Sequence, residues 1–340
     1  MKSRVVLLLV LVGVLAGCSQ APQRTETGLW PAVEPFETGY LQVSDTHKIY
    51  YELSGNRNGK PVFGLHGGPG GHSSPYMRRF FDPEKHLIVL QDQRGAGKSK
   101  PYGELEENDT WALVDDIERL RRQLGLDKVV LFGGSWGATL ALAHAEKYPQ
   151  FVDTLVLRGV FTATDREIDH FYHGGAAAFF PEVYERFLAK LPDPERRPLP
   201  QYLYELIRDG DAEEKRKYSL AWGNYEVKMA ALEMPDDVLA SIWEEEDPYA
   251  FALFENYYMA NRCFLDEGQL LDNAHLLEGI PTYIVNGRYD AVCPPQAAYE
   301  LHKLLPGSEL VIAEASGHWM GEPNIERELV RIFEEITAEQ

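Results

Sequence analysis

The chain has 340 residues, 44% of them hydrophobic and 25% charged, which is the composition of a globular protein that can bury a large core. Its 53 acidic and 33 basic side chains give a formal net charge of −20. This balance argues against a nucleic-acid-binding protein, since such proteins present stripes of Lys and Arg, and it suits a cationic ligand.

The first residues have the pattern of an export signal. Lys2 and Arg4 precede an apolar run over residues 5–16, and these 12 residues are too few to span a bilayer. We therefore predict a signal peptide over residues 1–17 that is removed from the mature protein.

The end of this signal resembles the lipobox of bacterial lipoproteins. It reads Leu15-Ala16-Gly17-Cys18, a pattern that implies acylation of Cys18 as the first residue of the mature chain. The alternative is an ordinary secretory signal that happens to contain a cysteine. Residues 18–35 are polar with three prolines, which is typical of a tether. We therefore expect an exported protein with a lipid anchor in a bacterial membrane, on the periplasmic or the cell-surface face.

A glycine-rich segment follows the first predicted strands. Alternation of apolar and polar residues over 40–53 predicts a hairpin, and a short buried strand over 61–65 leads into His66-Gly67-Gly68-Pro69-Gly70-Gly71. Five glycine or proline residues in six form no regular element, and they let backbone amides approach a ligand. A simple tight turn is the alternative. The segment follows a strand and precedes Gly-Gly-Ser-Trp-Gly at 133–137, a serine motif typical of α/β-hydrolases, in which a loop at this place supplies the second oxyanion donor. We therefore predict that Gly67 or Gly68 donates an amide.

The next strand, over 86–91, leads into a second glycine-rich segment, 92–99, whose last five residues resemble a P-loop. A P-loop requires a glycine five positions before Gly97, and that position is Asp92, so we reject nucleotide binding. An Asn-Asp-Thr cap then starts a predicted helix over 110–124.

Residues 128–146 predict a strand, a sharp turn and a helix. The segment begins β-prone, reads Gly-Gly-Ser-Trp-Gly at 133–137, and continues as an Ala/Leu-rich helix. Glycines beside Ser135 let neighbouring elements approach a strained turn, from which the hydroxyl projects toward the following helix. A chance G-x-S-x-G is the alternative, with about 0.1 matches expected in a chain this long. The flanking strand and helix favour a catalytic serine, with the Trp136 amide as an oxyanion donor.

The rest of the chain predicts an α/β fold with an insertion. Over 162–273, aromatic and charged residues recur at helical spacing, prolines interrupt the run and no clear strand appears, which indicates a helical cap. Strand–helix alternation elsewhere predicts a mostly parallel central sheet with helices on both faces, formed by residues 36–161 and 274–340. The remaining predicted strands lie over 154–157, 281–285 and 309–313, and the remaining helices over 296–305 and 325–336.

Cysteine and histidine give no sign of a metal site. Cys263 and Cys293 could pair in an exported protein, but we expect two free thiols. His170 and His173 are three residues apart with no accompanying zinc signature, so packing or solvated histidines are favoured. We expect no metal and no organic cofactor.

A serine nucleophile needs a base and an orienting carboxylate, which in this architecture follow in the order Ser, Asp or Glu, His. Asp290 comes just after the predicted strand ending at Val285, and His318 follows the strand over 309–313. His302 is the nearest competing histidine, but it lies inside a predicted helix. We therefore predict that His318 takes the proton of Ser135 and that Asp290 fixes the imidazole tautomer.

The motifs together resemble the prolyl aminopeptidase family, also called proline iminopeptidases, which are α/β-hydrolases. The similarity runs from about residue 35 to the C-terminus. It is carried by HGGPGG at 66–71, DQRGAGKS at 92–99, NDTWALVDDIERLR from 108, GGSWGATLAL at 133–142, LVLRGVF at 155–161, GRYDAVCP at 287–294 and SGH at 316–318.

The resemblance implies cleavage of an N-terminal proline, whose charged amine is held by glutamates of the cap. Glu226 ends Ala-Trp-Gly-Asn-Tyr-Glu, which is similar to a family motif in which Tyr225 is a tryptophan. Glu255 lies in a second similar segment, and Arg158 matches an arginine near the same pocket. Carboxylates in a closed pocket are costly unless a cation pairs with them, and an N-terminal ammonium is such a cation.

Other activities remain open at this point. An esterase with the same triad would have no need of Glu226 and Glu255, and a di- or tripeptidyl aminopeptidase would have a more open cap. A surface-anchored binding protein without turnover is the alternative from another class, and the intact triad counts against it. The expected partners are peptides with a free N-terminal proline and, through Cys18, a membrane; the oligomeric state is open.

Overall fold

An eight-stranded sheet forms the centre of the protein. The computed structural model describes residues 23–338. The strands run in the spatial order β1-β2-β4-β3-β5-β6-β7-β8; β2 is antiparallel to β1 and to β4, and the other neighbouring pairs are parallel. The predicted α/β-hydrolase fold with a mostly parallel sheet is therefore confirmed. The strands are β1 (Glu37–Gln42), β2 (Lys48–Gly55), β3 (Lys60–Leu65), β4 (His86–Gln91), β5 (Val129–Ser135), β6 (Val152–Val160), β7 (Thr282–Gly287) and β8 (Glu309–Ala313).

Helices cover both faces of the sheet, so its central strands are buried on both sides. Successive residues of β5 point to opposite faces: Leu131 packs in one apolar cluster with Ile117 and Leu140, and Phe132 packs in the other with Phe333. The α-helices are α1 (Thr110–Gln123), α2 (Trp136–Lys147), α3 (Asp165–Tyr172), α4 (Pro181–Leu188), α5 (Leu199–Asp209), α6 (Ala212–Ala230), α7 (Asp236–Glu245), α8 (Pro248–Ala260), α9 (Gln269–Asp272), α10 (Pro295–Leu304) and α11 (Pro323–Ala338).

Two central strands extend further than their apolar runs predict. β6 continues past Leu157 to Val160, and β7 continues past Val285 to Gly287. The reason is the parallel ladder, in which Arg158 pairs with Val285 and Gly287 pairs with the last residue of β8. Polar residues at the ends of these strands therefore lie within the sheet rather than in loops.

The chain between β6 and β7 forms the helices α3 to α9, and within the described residues it contains no strand. α6 and α8 carry the two predicted glutamates and pack against each other. Trp222 of α6 stacks on Tyr172 of α3, with ring centroids 4.6 Å apart, which ties α6 to the start of this helical region. These helices lie within residues 162–273, the range over which the sequence predicts a helical cap.

The predicted tether is in large part packed on the body of the protein. Leu29 is 2% exposed, and Trp30 exchanges hydrogen bonds with Arg79 in both directions, at 2.8 and 2.9 Å. Arg24 forms an ion pair with Glu334 of α11 at 2.6 Å. From Arg24 onward, therefore, the described part of the predicted tether forms a docked strap.

The predicted signal peptide and Cys18 lie outside the described residues. Among residues 23–338, no helix is long and apolar enough to cross a membrane.

Candidate active site

Ser135 lies at the sharp turn between β5 and α2. Its backbone has φ 57° and ψ −127°, a strained conformation for a residue with a side chain. A Cβ on Gly133 would collide with the Gly137 carbonyl oxygen, and a Cβ on Gly137 would collide with the Leu65 carbonyl oxygen. The two glycines of the motif are thus required because β5, α2 and β3 approach each other closely around the serine.

His318 and Asp290 are hydrogen-bonded neighbours at the same edge of the sheet. The distance from His318 Nδ1 to Asp290 Oδ2 is 2.7 Å, and both residues are buried. The other oxygen of Asp290 accepts the backbone N–H groups of Val292 at 3.0 Å and of Cys293 at 2.7 Å, which fixes the carboxylate. The structure thus brings the predicted base and its orienting carboxylate together.

Strand pairing brings Ser135 to the edge of the sheet at which Asp290 and His318 lie. Ser135, the last residue of β5, is the partner of Val160 in β6. The preceding Gly159 has φ +53°, and a Cβ there would lie 2.9 Å from the His318 ring and 3.3 Å from Asp290. The Ser135 hydroxyl lies beside the Cys293 thiol in this arrangement. Proton transfer requires it to donate to the imidazole of His318.

The glycine loop lies against the nucleophile, as an oxyanion hole requires. A Cβ on Gly67 would lie 3.4 Å from the Cβ of Ser135, and Gly68 has φ +105°. Trp136 begins α2, so its backbone N–H is one of the unpaired donors at the helix N-terminus. The predicted donors, the amides of Trp136 and of Gly67 or Gly68, therefore flank Ser135 from two sides.

A buried network that the sequence analysis missed links these donors. Gln93 accepts the indole N–H of Trp136 at 2.9 Å and donates its amide to the His66 carbonyl at 2.9 Å. The His66 ring accepts the Gln93 backbone N–H at 3.0 Å and contacts the Gly67 carbonyl at 3.0 Å. Burial lowers the pKa of His66 to about 4, so the ring is neutral and can act as acceptor and donor at once. The sequence feature that could have indicated this network is Asp-Gln-Arg-Gly, the segment that follows β4.

Ser135 and Glu255 line the same pocket. Glu255 and Glu226 are both buried, and their charges act on each other. Burial raises the pKa of Glu226, and burial together with the charge of Glu226 raises the pKa of Glu255 well above its usual range. The remaining walls of the pocket are mainly apolar and include Phe161, Ile168, Phe171, Met259 and Val292.

The two carboxyl groups differ in their hydrogen bonds. Glu255 accepts the indole N–H of Trp222 at 2.6 Å, whereas Oε2 of Glu226 is buried without a hydrogen-bond partner among the described residues. A buried carboxylate oxygen without a donor is costly, so this position favours a cationic ligand. Glu226 is also close enough to His318 for the two charges to interact. The site can therefore hold a cation beside the reacting serine.

Arg158, by contrast, lies behind the triad. Its Nη1 donates to the His318 carbonyl at 2.5 Å, and its guanidinium lies flat against Gly134, the residue before the serine. It is not among the residues that line the pocket between Ser135 and Glu255. Glu226 is not among those residues either. The described contacts place Arg158 against the triad, and none of them joins it to the two glutamates with which the sequence analysis grouped it.

Other residues singled out in the sequence have contacts of their own. His302, in α10, binds the Ser308 hydroxyl at 2.7 Å, and His170 binds the Ala291 carbonyl at 2.8 Å. Tyr225 stacks on a phenylalanine of α4 and donates its hydroxyl to the Phe171 carbonyl at 2.7 Å. Its ring therefore packs within the cap and does not line the pocket. Both described cysteines, Cys263 and Cys293, are buried free thiols, as expected.

Asn286 is a further residue that sequence reasoning missed. Its side-chain oxygen accepts the Val160 backbone N–H at 3.0 Å, and its amide donates to the Cys293 carbonyl at 3.1 Å. It thus joins the end of β6 to the loop that holds Asp290. Because β7 extends beyond its apolar run, the hydrophobic pattern of the sequence did not place Asn286 within a strand.

Comparison with solved structures gives the same fold. An α/β hydrolase from a Medee basin deep-sea metagenome library matches with a TM-score of 0.63 at 19% identity, covering 87% of this chain and 97% of that one. A proline iminopeptidase-related protein from Thermus thermophilus matches with a TM-score of 0.56 at 22% identity, covering 89% and 97%. An esterase from Exiguobacterium antarcticum also matches, with a TM-score of 0.62 at 22% identity over 88% and 98%.

Sequence comparison identifies the family. The family model for the alpha/beta hydrolase fold matches residues 60–324. A probable proline iminopeptidase from Leptolyngbya boryana is 44% identical over 92% of this chain and 98% of its own length. Proline iminopeptidases from Arabidopsis thaliana and Xylella fastidiosa are 44% and 45% identical, over 96% and 87% of this chain and 87% and 95% of their own lengths. The chain belongs to the proline iminopeptidase family of α/β hydrolases.

Proposed function

We propose that the protein is a serine exopeptidase that releases N-terminal proline from peptides. The observation that carries this proposal is the pair of buried carboxyl groups, Glu226 and Glu255, beside the pocket that Ser135 also lines. An N-terminal ammonium satisfies the unpartnered oxygen of Glu226 and compensates the negative charge. The proline iminopeptidase relatives, at 41 to 45% identity, support the same reaction.

The reaction proceeds through an acyl-enzyme. Ser135 attacks the carbonyl carbon of the first residue while His318 takes its proton, and Asp290 stabilises the resulting imidazolium. The amides of Trp136 and of the Gly67-Gly68 segment stabilise the oxyanion. His318 then protonates the leaving amine, the shortened peptide departs, and water hydrolyses the prolyl ester by the reverse proton path.

The requirement for a positive charge beside the buried glutamates accounts for action at the N-terminus of a peptide. Glu255 in the wall of the pocket can hold the amine, so a substrate without a free N-terminus is disfavoured there. Apolar walls from Phe171 and Val292 suit a pyrrolidine ring. A small neutral side chain such as that of alanine also fits, so strictness for proline depends on how closely these walls contact the ring.

The test compares four substrates on the body of the protein lacking residues 1–18, with Ser135→Ala as the blank. The substrates are a proline arylamide, its N-acetylated form, an alanine arylamide and a short-chain nitrophenyl ester. Strong preference for free proline supports the proposal. Turnover of the ester alone makes the protein an esterase, and release of two or three residues from longer peptides makes it a di- or tripeptidyl aminopeptidase. Binding of peptides with no turnover of any substrate leaves a binding protein.

We also propose that the protein is exported and held at a bacterial membrane by lipid on Cys18. The support is the sequence pattern alone: a basic start, a short apolar run and the Leu-Ala-Gly-Cys motif. In the native host, Cys18→Ser is expected to move the protein from the membrane fraction to the soluble fraction, with an unchanged specific activity. Unchanged sedimentation of the variant would refute lipidation.

A further inference from the structure

The guanidinium of Arg158 is buried beside the triad with few partners. The residue is 8% exposed, and its Nη1 donates a hydrogen bond to the His318 carbonyl at 2.5 Å. Its Nε has no acceptor, and no carboxylate lies within ion-pair distance of it among residues 23–338. Burial of a cation without a paired anion costs stability, so this placement is not explained by stability.

The surroundings of Arg158 are those of the reacting groups. The guanidinium covers Gly134, the residue before Ser135, and the negative charge that faces it most strongly is that of Asp290. Burial lowers the pKa of Arg158, but an arginine side chain keeps its proton at neutral pH. A permanent positive charge therefore lies next to the carboxylate that orients His318.

We propose that Arg158 is a positioning residue for the triad, which fixes the backbone of His318 and places a permanent positive charge beside Asp290. This inference rests on the proposed serine mechanism and differs from a role in binding the substrate amine. The hydrogen bond to the His318 carbonyl holds the loop after β8 against β6. The positive charge lies beside Asp290, so its removal changes the electrostatic environment in which the triad transfers a proton.

Other charges act on the same imidazole and must be kept constant in a test. Asp290 and Glu226 act on it directly, and the Cys293 thiol faces Asp290. Burial raises the pKa of Cys293 well above its usual range, so this thiol stays neutral. The protonation of Glu226 affects mainly substrates with a free amine, so an N-blocked ester isolates the effect of Arg158.

Three substitutions separate the two contributions of Arg158. Arg158→Met removes both the donor and the charge, Arg158→Gln keeps a donor without the charge, and Arg158→Lys keeps the charge. The pH profile of kcat/KM and the values of kcat and KM are measured with a nitrophenyl ester and with a proline arylamide. Arg288→Met is the matched control, since Arg288 is two residues from Asp290 but pairs with Glu314 at the surface.

For Arg158→Met we expect kcat to fall by about 10- to 100-fold for both substrates, with KM within about twofold. The acid limb of kcat/KM for the ester should move up by about half a pH unit or more in Arg158→Met and Arg158→Gln, because protonation of the imidazole becomes easier. Arg158→Lys and Arg288→Met should leave the acid limb unchanged. If Arg158→Met does not fold, the test is the difference in the acid limb between Arg158→Gln and Arg158→Lys.

A different result would overturn the inference. A raised KM for the proline arylamide alone, with ester turnover and the acid limb as in the wild type, would make Arg158 a substrate-binding residue. An unmoved acid limb in Arg158→Gln would remove the electrostatic role. Failure of the proposed function itself is distinguishable, since it appears as absent arylamide turnover in the wild-type protein.

Discussion

Trp222 donates its indole N–H to Glu255 at 2.6 Å, so one cap carboxylate is held by a neutral donor while Glu226 beside it keeps an oxygen without a partner among the described residues. We therefore expect Glu226→Gln to raise KM for a proline arylamide by about 10- to 100-fold, because the variant loses a charge-assisted hydrogen bond to the substrate amine. The effect on an N-blocked ester should stay below about twofold.

The matched control for this variant is Glu244→Gln, a change of an exposed glutamate on α7 in the same cap. It should alter neither substrate. Equal losses with the arylamide and the ester in Glu226→Gln would contradict amine recognition.

Substrate binding should release a proton from the carboxyl pair. Burial raises the pKa of both Glu226 and Glu255, so the pair holds a proton to higher pH than isolated glutamates do. A bound ammonium stabilises the ionised form and expels that proton. Isothermal titration of the Ser135→Ala protein with a proline arylamide, in two buffers of different ionisation enthalpy, measures the release.

The release of this proton determines how KM for the arylamide depends on pH. KM for the arylamide should fall as pH rises through the deprotonation of the pair and increase again once the substrate amine loses its own proton. KM for the N-blocked ester should show no such fall. A binding enthalpy that is the same in both buffers would speak against a shared proton.

Gly68→Ala should reduce kcat by about 100-fold or more, since the glycine loop supplies an oxyanion donor. Gly68 has φ +105°, and a Cβ there would lie 2.9 Å from the amides of Gly70 and Gly71, so the loop must shift. Gly125→Ala is the control, because Gly125 also has positive φ but no described atom lies within 4 Å of its added Cβ.

The control should lose about 1 kcal/mol of stability from backbone strain and keep full kcat. Ester turnover and thermal unfolding, measured on both variants, separate the two effects. Similar kcat in Gly68→Ala and the wild type would exclude this loop from the oxyanion hole.

An ion pair joins the glycine loop to the cap. His72 contacts Glu246, just before α8, at 2.8 Å, and this hydrogen bond raises the pKa of His72 to about 9. Because the unfolded value is about 6.5, the pair contributes fully below that pH and loses its contribution as pH rises through about 9. The side chains are 41% and 47% exposed, so the contribution should stay below about 1 kcal/mol.

Thermal unfolding of His72→Gln and the wild type from about pH 6 to about pH 10 tests this dependence. The difference in Tm should be largest at the acid end of this range and disappear above about pH 9. Arg57→Gln, which removes the exposed pair of Arg57 with Glu37, should give a constant difference because arginine stays charged over this range. A constant difference for His72→Gln as well would contradict the raised pKa.

The parts of the site that could be predicted from sequence depend on local geometry. The turn at Ser135 needs small residues on both sides, so its glycines leave a readable pattern. The order of Asp290 and His318 follows from the strands that precede them. Glu226 and Glu255 carry no such pattern, because a glutamate on a helix is usually a surface charge; only the resemblance to a family singled them out.

Other parts of the site depend on contacts between distant segments. The backbone pairing of β6 with β7 places Arg158 and Asn286 inside the sheet, although polar residues normally indicate the end of a buried strand. Gln93 links two loops that are far apart in the chain. The strap docks because Leu29 packs against α11 and Trp30 forms hydrogen bonds with Arg79. The polar residues around them in the sequence give no indication of these contacts.

The docked strap limits how far the catalytic body can travel from an anchor. Arg24, which pairs with α11, follows Cys18 by six residues, so at about 3.5 Å per residue the intervening chain spans at most about 21 Å. The catalytic body of a protein acylated at Cys18 would therefore stay close to the lipid headgroups and diffuse only along the membrane. Its substrates would be peptides that arrive at the membrane surface, and peptides in the bulk solution would be reached only by diffusion to that surface.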